Sequence, residues 1–379
     1  MYTYQKSGRF FAQHAGGMEE VAAEELRELN VKNIKPFFRG IFFETDNAGL
    51  YRVNYMSQIV SRIFAPLLTF DCHSTRYLYK TACKIDWSDF MTVNTTFAVS
   101  ATVSQSKITH SQYAALCLKD SIVDYFRNRF GKRPDVDTKA PDIWFNLHIQ
   151  NDRATISLDT SGGSLHRRGY RTETVEAPMQ ETLAAAIIQL SGWDGTRPLY
   201  DLMCGSGTLL CEALIHYCRI PPGMFRSRFG FENMPDYDKA LWAEVKREAD
   251  SRKRELPGGL ISGSDISSKA VSIARKNIGN LPGGSYISLA KKDFNSISGL
   301  ENTLIVCNPP YGIRSGKNEN MAEFYHSIGE FLKHRCTGAE AFIYFGDRSM
   351  LKHVALRKSW KKELKNGGLD GILVKFEMY

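Results

Sequence analysis

The sequence is most informative first for what is missing. None of its eight cysteines forms a C-x-x-C pair, which disfavours a zinc knuckle or a thioredoxin-type site. No apolar stretch approaches the roughly 18 residues needed to span a bilayer. The first residues, MYTYQKSGRFFAQHAGG, hold no long apolar run of the secretory type. A cytoplasmic chain with reduced, mostly buried thiols and no membrane partner is therefore expected. Cys204, Cys211 and Cys218 recur at a seven-residue spacing. Core packing explains them better than a metal, and no metal site is expected. Repeats and low-complexity segments are absent too. Against these absences stand 43% hydrophobic and 24% charged residues, an ordinary globular balance. The formal charge of +8 permits a polyanionic partner without requiring one. A length of 379 residues allows two or three domains.

The chain divides into unlike halves. Up to about residue 160 the pattern is mixed. A helix with an acidic face begins after Gly16-Gly17, and a strand is expected over 40–44. A helix over 111–130 places Ala114, Leu118, Ile122 and Tyr125 on one stripe and ends before Pro134. Alternation over 143–150 predicts a half-buried strand, turned by Asn151-Asp152 into a second over 154–158. Helices on such strands indicate α+β structure. The second half alternates strand and helix: strands at 198–203, 260–265, 303–307 and 341–345, helices at 183–190, 209–217, 268–278 and 321–333, and a hairpin over 361–376 turning near Gly367-Gly368. This predicts an α/β, mostly parallel sheet with an antiparallel edge. Ligands bind outside the carboxyl ends of such strands, where Asp201, Gly205–Gly207, Asp265 and Asn308 all fall.

Gly205-Ser206-Gly207 brings backbone close to a ligand at a helix N-terminus. The third glycine of G-x-G-x-x-G is replaced by Leu210, and no P-loop lysine follows, so nicotinamide and nucleotide triphosphates are weak readings. Asp265 suits ribose hydroxyls, or alternatively the N-cap of the next helix. Asn308-Pro309-Pro310-Tyr311 is more specific. Two prolines stiffen the turn and remove two donors, the carboxamide adds an acceptor, and the tyrosine adds a flat face. The group suits a planar base with an exocyclic amine.

These two stretches resemble motifs I and IV of class I S-adenosylmethionine-dependent methyltransferases acting on amino groups. The segment 159–171 is similar to the junction of THUMP-domain RNA methyltransferases, 177–186 to the motif after it, and 226–242, with its Phe229-Gly230-Phe231-Glu232 core, to that family's insertion. The resemblance extends to the guanine-N2 half of the bifunctional large-subunit rRNA methyltransferases. It implies a ferredoxin-like domain over 1–60, a THUMP domain over 61–165 and a Rossmann-like catalytic domain over 166–379. It assigns S-adenosyl-L-methionine to Asp201, Met203, Cys204, Gly205, Gly207, Thr208, Asp265, Ile266, Asp293 and Phe294. Asn308, Pro309, Pro310 and Tyr311 become catalytic, with Tyr311 stacking on the base through its ring, so that Tyr311→Phe is expected to be nearly silent.

The implied partner is RNA, most of all large-subunit rRNA. Candidate contacts are Lys107, Lys132 and Arg133 in the first half and Arg167, Arg168 and Arg171 at the junction, although a solvated surface charge is the default for any one of them. An adenine-N6 methyltransferase and a non-catalytic RNA-binding protein are the competing readings.

Overall fold

The computed structural model describes residues 1–175, 178–311 and 321–379. Ala177, which opens the 177–186 motif, lies outside the described residues, as does Gly312, which follows the Asn308–Tyr311 turn. Among the described residues, fourteen strands form two seven-stranded sheets. The first contains β1 (Arg9–Gln13), β2 (Lys32–Phe37), β3 (Gly40–Glu44), β4 (Arg62–Asp71), β5 (Phe97–Ser104), β6 (Ile143–Gln150) and β7 (Arg153–Asp159). Its order is β2-β3-β1-β4-β7-β6-β5, antiparallel except for β5 with β6. The pairing of β4 with both β1 and β7 carries one sheet across the boundary placed at residue 60. Phe10, Ala12, Ile41, Phe43, Leu147 and Ile156 alternate onto one face and are buried.

The second sheet contains β8 (Leu199–Asp201), β9 (Ile261–Asp265), β10 (Ser288–Lys291), β11 (Leu304–Cys307), β12 (Glu340–Phe345), β13 (Lys358–Asn366) and β14 (Leu369–Glu377). Its order is β10-β9-β8-β11-β12-β14-β13, parallel up to β12, with the closing hairpin antiparallel. This is the expected α/β architecture. The strand order reverses between β8 and β11. Asp201 is the register partner of Val306 there, so the turns after the two strands share one crevice, the usual place for a ligand in an open α/β sheet.

The helix Thr208–Cys218 is buried on nearly every side, as a helix between two layers must be. Segment 219–259, which separates β8 and its helix from β9, clamps the halves together. The Phe231 N–H donates to the Thr160 carbonyl at 2.8 Å. A Cβ on Gly230 would sit 1.9 Å from the Asp159 carbonyl oxygen, so only glycine permits that approach. Trp242 meets Tyr55, Phe229 and Phe231 edge-on, and the Tyr4 hydroxyl donates to Asp236 at 2.5 Å. The three heptad-spaced cysteines are buried, and all eight cysteines are free. No described helix is long and apolar enough to cross a membrane.

Candidate active site

A cavity of about 730 Å³ opens at the β8–β11 crevice, within the range typical of small-molecule sites. Its polar wall begins at the glycine turn. Gly205 and Gly207 have φ of +53° and +80°, which a side chain would strain. A Cβ on Gly207 would press on Ala274 and Ile278. Gly207 does not line the cavity. It acts from behind, as the N-cap that lets the helix Thr208–Cys218 lie close to its neighbour. The other nine residues assigned to the cofactor, and the four assigned to catalysis, all border the space.

Asp265 is not the N-cap of the next helix. Ser267 has that role, accepting from the Ala270 N–H. Asp265 instead accepts from the Gly205 N–H at 3.0 Å and from the Ser267 N–H at 2.9 Å. The two bonds fix its carboxylate against the glycine turn, on the cavity wall. Asp201 is fully buried. Burial pushes its carboxyl up to about 8, helped by the negative charge of Asp265 and opposed by the Met203 N–H that it accepts at 3.1 Å. Ile266, 66% exposed, and Phe294 supply apolar surface. Asp293 accepts from the Asn295 N–H and caps a short 3₁₀ turn. Phe294 packs edge-on against Phe324 and Phe331 and shows only part of its ring to the cavity. Carboxylates and turn amides on one side and apolar walls on the other fit a nucleoside bearing hydroxyls and a flat base.

Asn308 follows β11 directly. Its Oδ1 accepts from the Tyr311 hydroxyl at 2.5 Å. The Pro310 carbonyl accepts from the Tyr325 hydroxyl at 3.2 Å, which anchors the turn. The Tyr311 ring lies edge-on to Tyr344, and a Cβ on Gly346 would come within 2.5 Å of it. Burial pushes the Tyr311 hydroxyl up to about 12, so it stays protonated and remains a donor. The expectation that Tyr311 acts only through its ring is therefore corrected: the hydroxyl orients the Asn308 carboxamide.

Sequence reasoning missed Val175, Lys292, Asn295, Phe324 and Leu369, which also line the cavity. It also missed Asn277. The Asn277 amide donates to the Ser206 carbonyl at 3.0 Å and the Glu173 carbonyl at 2.9 Å, while its oxygen accepts from Thr172 and Glu173. A buried asparagine inside a helix was the available signal, since such a group must find partners.

The junction arginines separate. Arg167 is exposed, as are Lys107, Lys132 and Arg133. Arg168 is only 1% exposed. Its guanidinium donates to the carbonyls of Ser57, Gln58 and Leu165 and pairs with Glu212. It has no surface to offer a phosphate, and its assignment to RNA contact is withdrawn. Arg171 is largely covered. It donates to the Met179 carbonyl at 2.8 Å and Thr208 Oγ1 at 3.0 Å, with Glu181 beside it. It ties segment 178–179 to the helix Thr208–Cys218 instead.

Comparison with known proteins gives three matches along the chain: an RlmL ferredoxin-like domain over residues 9–64, a THUMP domain over 72–159 and an RMKL-like methyltransferase domain over 168–375. A Synechocystis protein provisionally named an RNA methyltransferase is 38% identical over 98% of this chain and 97% of its own length. A Syntrophotalea carbinolica protein named ribosomal RNA large subunit methyltransferase K/L is 37% identical over 98% of this chain. The match covers 53% of that relative, so this chain spans about half its length. The crystal structure of SMU.472, a methyltransferase candidate in complex with SAH, superposes with a TM-score of 0.86 at 28% identity, covering 98% of both chains. Built as a ferredoxin-like and THUMP half in front of this crevice, the chain belongs to the family of RMKL-like methyltransferases.

Proposed function

We propose that the chain transfers a methyl group from S-adenosyl-L-methionine to the N2 amine of a guanine in large-subunit rRNA. The observation that carries this reading is the juxtaposition, in one crevice, of the Asn308–Tyr311 turn after β11 with the glycine turn after β8 and the Asp265 carboxylate that ends β9. The relatives named for large-subunit rRNA support the substrate, and the SAH bound to the related structure supports the cofactor. The cofactor supplies a methyl group on a sulfonium, already electrophilic. Asp265 would hold ribose hydroxyls, and Ile266 and Phe294 would flank the adenine.

The remaining work belongs to the chain's own groups. An exocyclic amine is a poor nucleophile because its lone pair is delocalised into the ring. A carboxamide oxygen has two lone pairs. Tyr311 occupies one at Asn308, and the other faces a target N–H. The Pro309 carbonyl takes the second N–H. Held by two acceptors, the nitrogen is drawn toward tetrahedral geometry with its lone pair free. As the N–C bond forms, the methyl–sulfur bond breaks with its electron pair left on sulfur, and the alkylated nitrogen releases one of its two protons to solvent. Catalysis is then mostly positioning and electrostatics. A base within helical RNA must first be flipped out.

The test is nucleoside analysis of large-subunit rRNA from cells with and without the protein, and of rRNA treated with pure protein and cofactor. N2-methylguanosine is expected. N6-methyladenosine would move the reading to the adenine alternative, and no methylated nucleoside would leave a non-catalytic RNA-binding protein. Asp265→Ala should weaken cofactor binding by tenfold or more. A charge-assisted hydrogen bond contributes about 1.5–3 kcal/mol, and 1.4 kcal/mol corresponds to about tenfold. Calorimetric titration with an unchanged melting temperature checks this. Unaltered affinity would restrict Asp265 to bracing the glycine turn.

A further inference from the structure

We propose that the tip of the β2–β3 hairpin is a second RNA-contact site, a stacking platform for unpaired bases near the target nucleotide. The proposal rests on the RNA reading above.

The register aligns Phe11 with Phe42, and Phe42 with Lys35, on the face of the first sheet turned away from its core. Two of the aromatics there have structural duties. The Phe11 ring covers Gly40, where a Cβ would land 2.0 Å from it, and Phe42 packs on Phe11 at 4.9 Å. Phe37 touches this cluster only at its edge, meeting the Phe42 ring edge-on at 5.7 Å, and Phe38 meets no other aromatic ring among the described residues. They are 43% and 78% exposed, and Phe38 stands at the tip of a two-residue turn.

Turn chemistry does not explain these residues. Arg39 occupies the left-handed region at φ +54°, where glycine or asparagine is the cheaper choice. Edge protection does not explain them either. β2 is an edge strand, and Lys32, Lys35 and Pro36 already discourage pairing with another chain. Two exposed phenylalanines work against that purpose.

The cations identify the ligand. The Arg39 guanidinium lies 5.2 Å from the Phe38 ring and that of Arg9 lies 4.2 Å from the Phe42 ring. Flat apolar faces interleaved with positive charge suit a single-stranded polyanion, whose bases stack while its phosphates pair.

Position links the tip to the chemistry. The Arg39 carbonyl accepts from the His14 N–H, and the loop that follows reaches the Gly16 carbonyl, which accepts from the Lys365 N–H on β13. At the end of that same hairpin Leu369 lines the catalytic cavity. Asp370, next along, is held below its ordinary value chiefly by Lys365, with smaller contributions from Arg348 and then Arg39. The tip and the cavity thus flank one hairpin of the catalytic half.

The test uses the full chain and a single-stranded oligoribonucleotide carrying 2-aminopurine, whose fluorescence falls on stacking. Wild-type protein should quench it. Phe37→Ala with Phe38→Ala should remove the quenching and weaken RNA binding by about tenfold or more, with cofactor affinity and melting temperature unchanged. Phe38→Trp should retain both quenching and affinity. Arg39→Glu should weaken binding and flatten its salt dependence. A double alanine variant that quenches, binds and methylates rRNA as wild type does overturns the proposal alone and leaves the patch to a protein partner. Failure of the RNA reading looks different: wild-type protein neither binds RNA nor methylates rRNA, and the proposal falls with it.

Discussion

Asn308→Ala is expected to lower single-turnover methylation by roughly 10²–10³, with cofactor affinity and melting temperature unchanged. The magnitude follows by analogy with a preorganised oxyanion-hole donor, whose loss costs about 2.7–4 kcal/mol. The analogy holds because Asn308 is fixed before substrate arrives. It follows β11 directly, its oxygen is held by the Tyr311 hydroxyl at 2.5 Å, and the turn is pinned by Tyr325. A contact made fully only as the amine becomes tetrahedral lowers turnover rather than binding. Tyr311→Phe tests the orienting bond separately. A neutral hydrogen bond contributes about 0.5–1.5 kcal/mol, so a rate loss of up to about tenfold is expected. Tyr311→Ala also removes any stacking, worth about 1–3 kcal/mol per base, and should be worse. If Asn308→Ala instead lowers melting temperature and cofactor affinity together, the residue only braces the strand end. A near wild-type rate would remove the mechanism.

These two residues show what was legible beforehand. Asn308-Pro309-Pro310-Tyr311 is contiguous, and its chemistry is written in residue types. The same holds for the glycine turn and for the short apolar runs of β8, β9 and β11, each bounded by glycine, aspartate or proline. Asp265 was legible as a residue at a strand end, yet cap and ligand were indistinguishable because both need that place. Only the Ser267 side chain on the Ala270 N–H separates them. The first half was harder. β4 carries Pro66 and ends in Thr69, Phe70 and Asp71, and β5 reads FAVSATVS, with a polar outer face. In β4 the proline interrupts the apolar run over 63–68, which hides the strand from a local pattern, and β4 gains its place from pairing with β1 and β7, each distant in sequence. The wall residues Val175 and Leu369 likewise reach the cavity through tertiary packing that no local pattern encodes.

Arg168 is the strongest case of a role set by distant partners, and it carries the second large effect. In sequence it follows another arginine and resembles a surface charge. In the fold it joins Ser57 and Gln58 of the first half to Glu212 on the helix that follows the glycine turn. Arg168→Met should destabilise the chain by about 3–5 kcal/mol, the usual cost of removing one partner of a buried pair. Glu212 makes the loss depend on pH. Burial raises its carboxyl from 4.5 to about 7, although Arg168 opposes the rise. A raised carboxyl takes up a proton on folding, so its contribution is full below about 4.5 and is lost as pH climbs to about 7. Without Arg168 the carboxyl rises further and the loss continues above 7. The gap between wild type and Arg168→Met should therefore be widest on the alkaline side of 7 and narrower on the acid side. Glu212→Gln in the Arg168→Met background should recover part of it and flatten the profile, because the titrating group is gone. Chemical denaturation of the three proteins across that pH range is the measurement. A gap independent of pH would mean that the three carbonyl contacts, not the ion pair, hold the halves together. No destabilisation at any pH would remove Arg168 from the interface altogether.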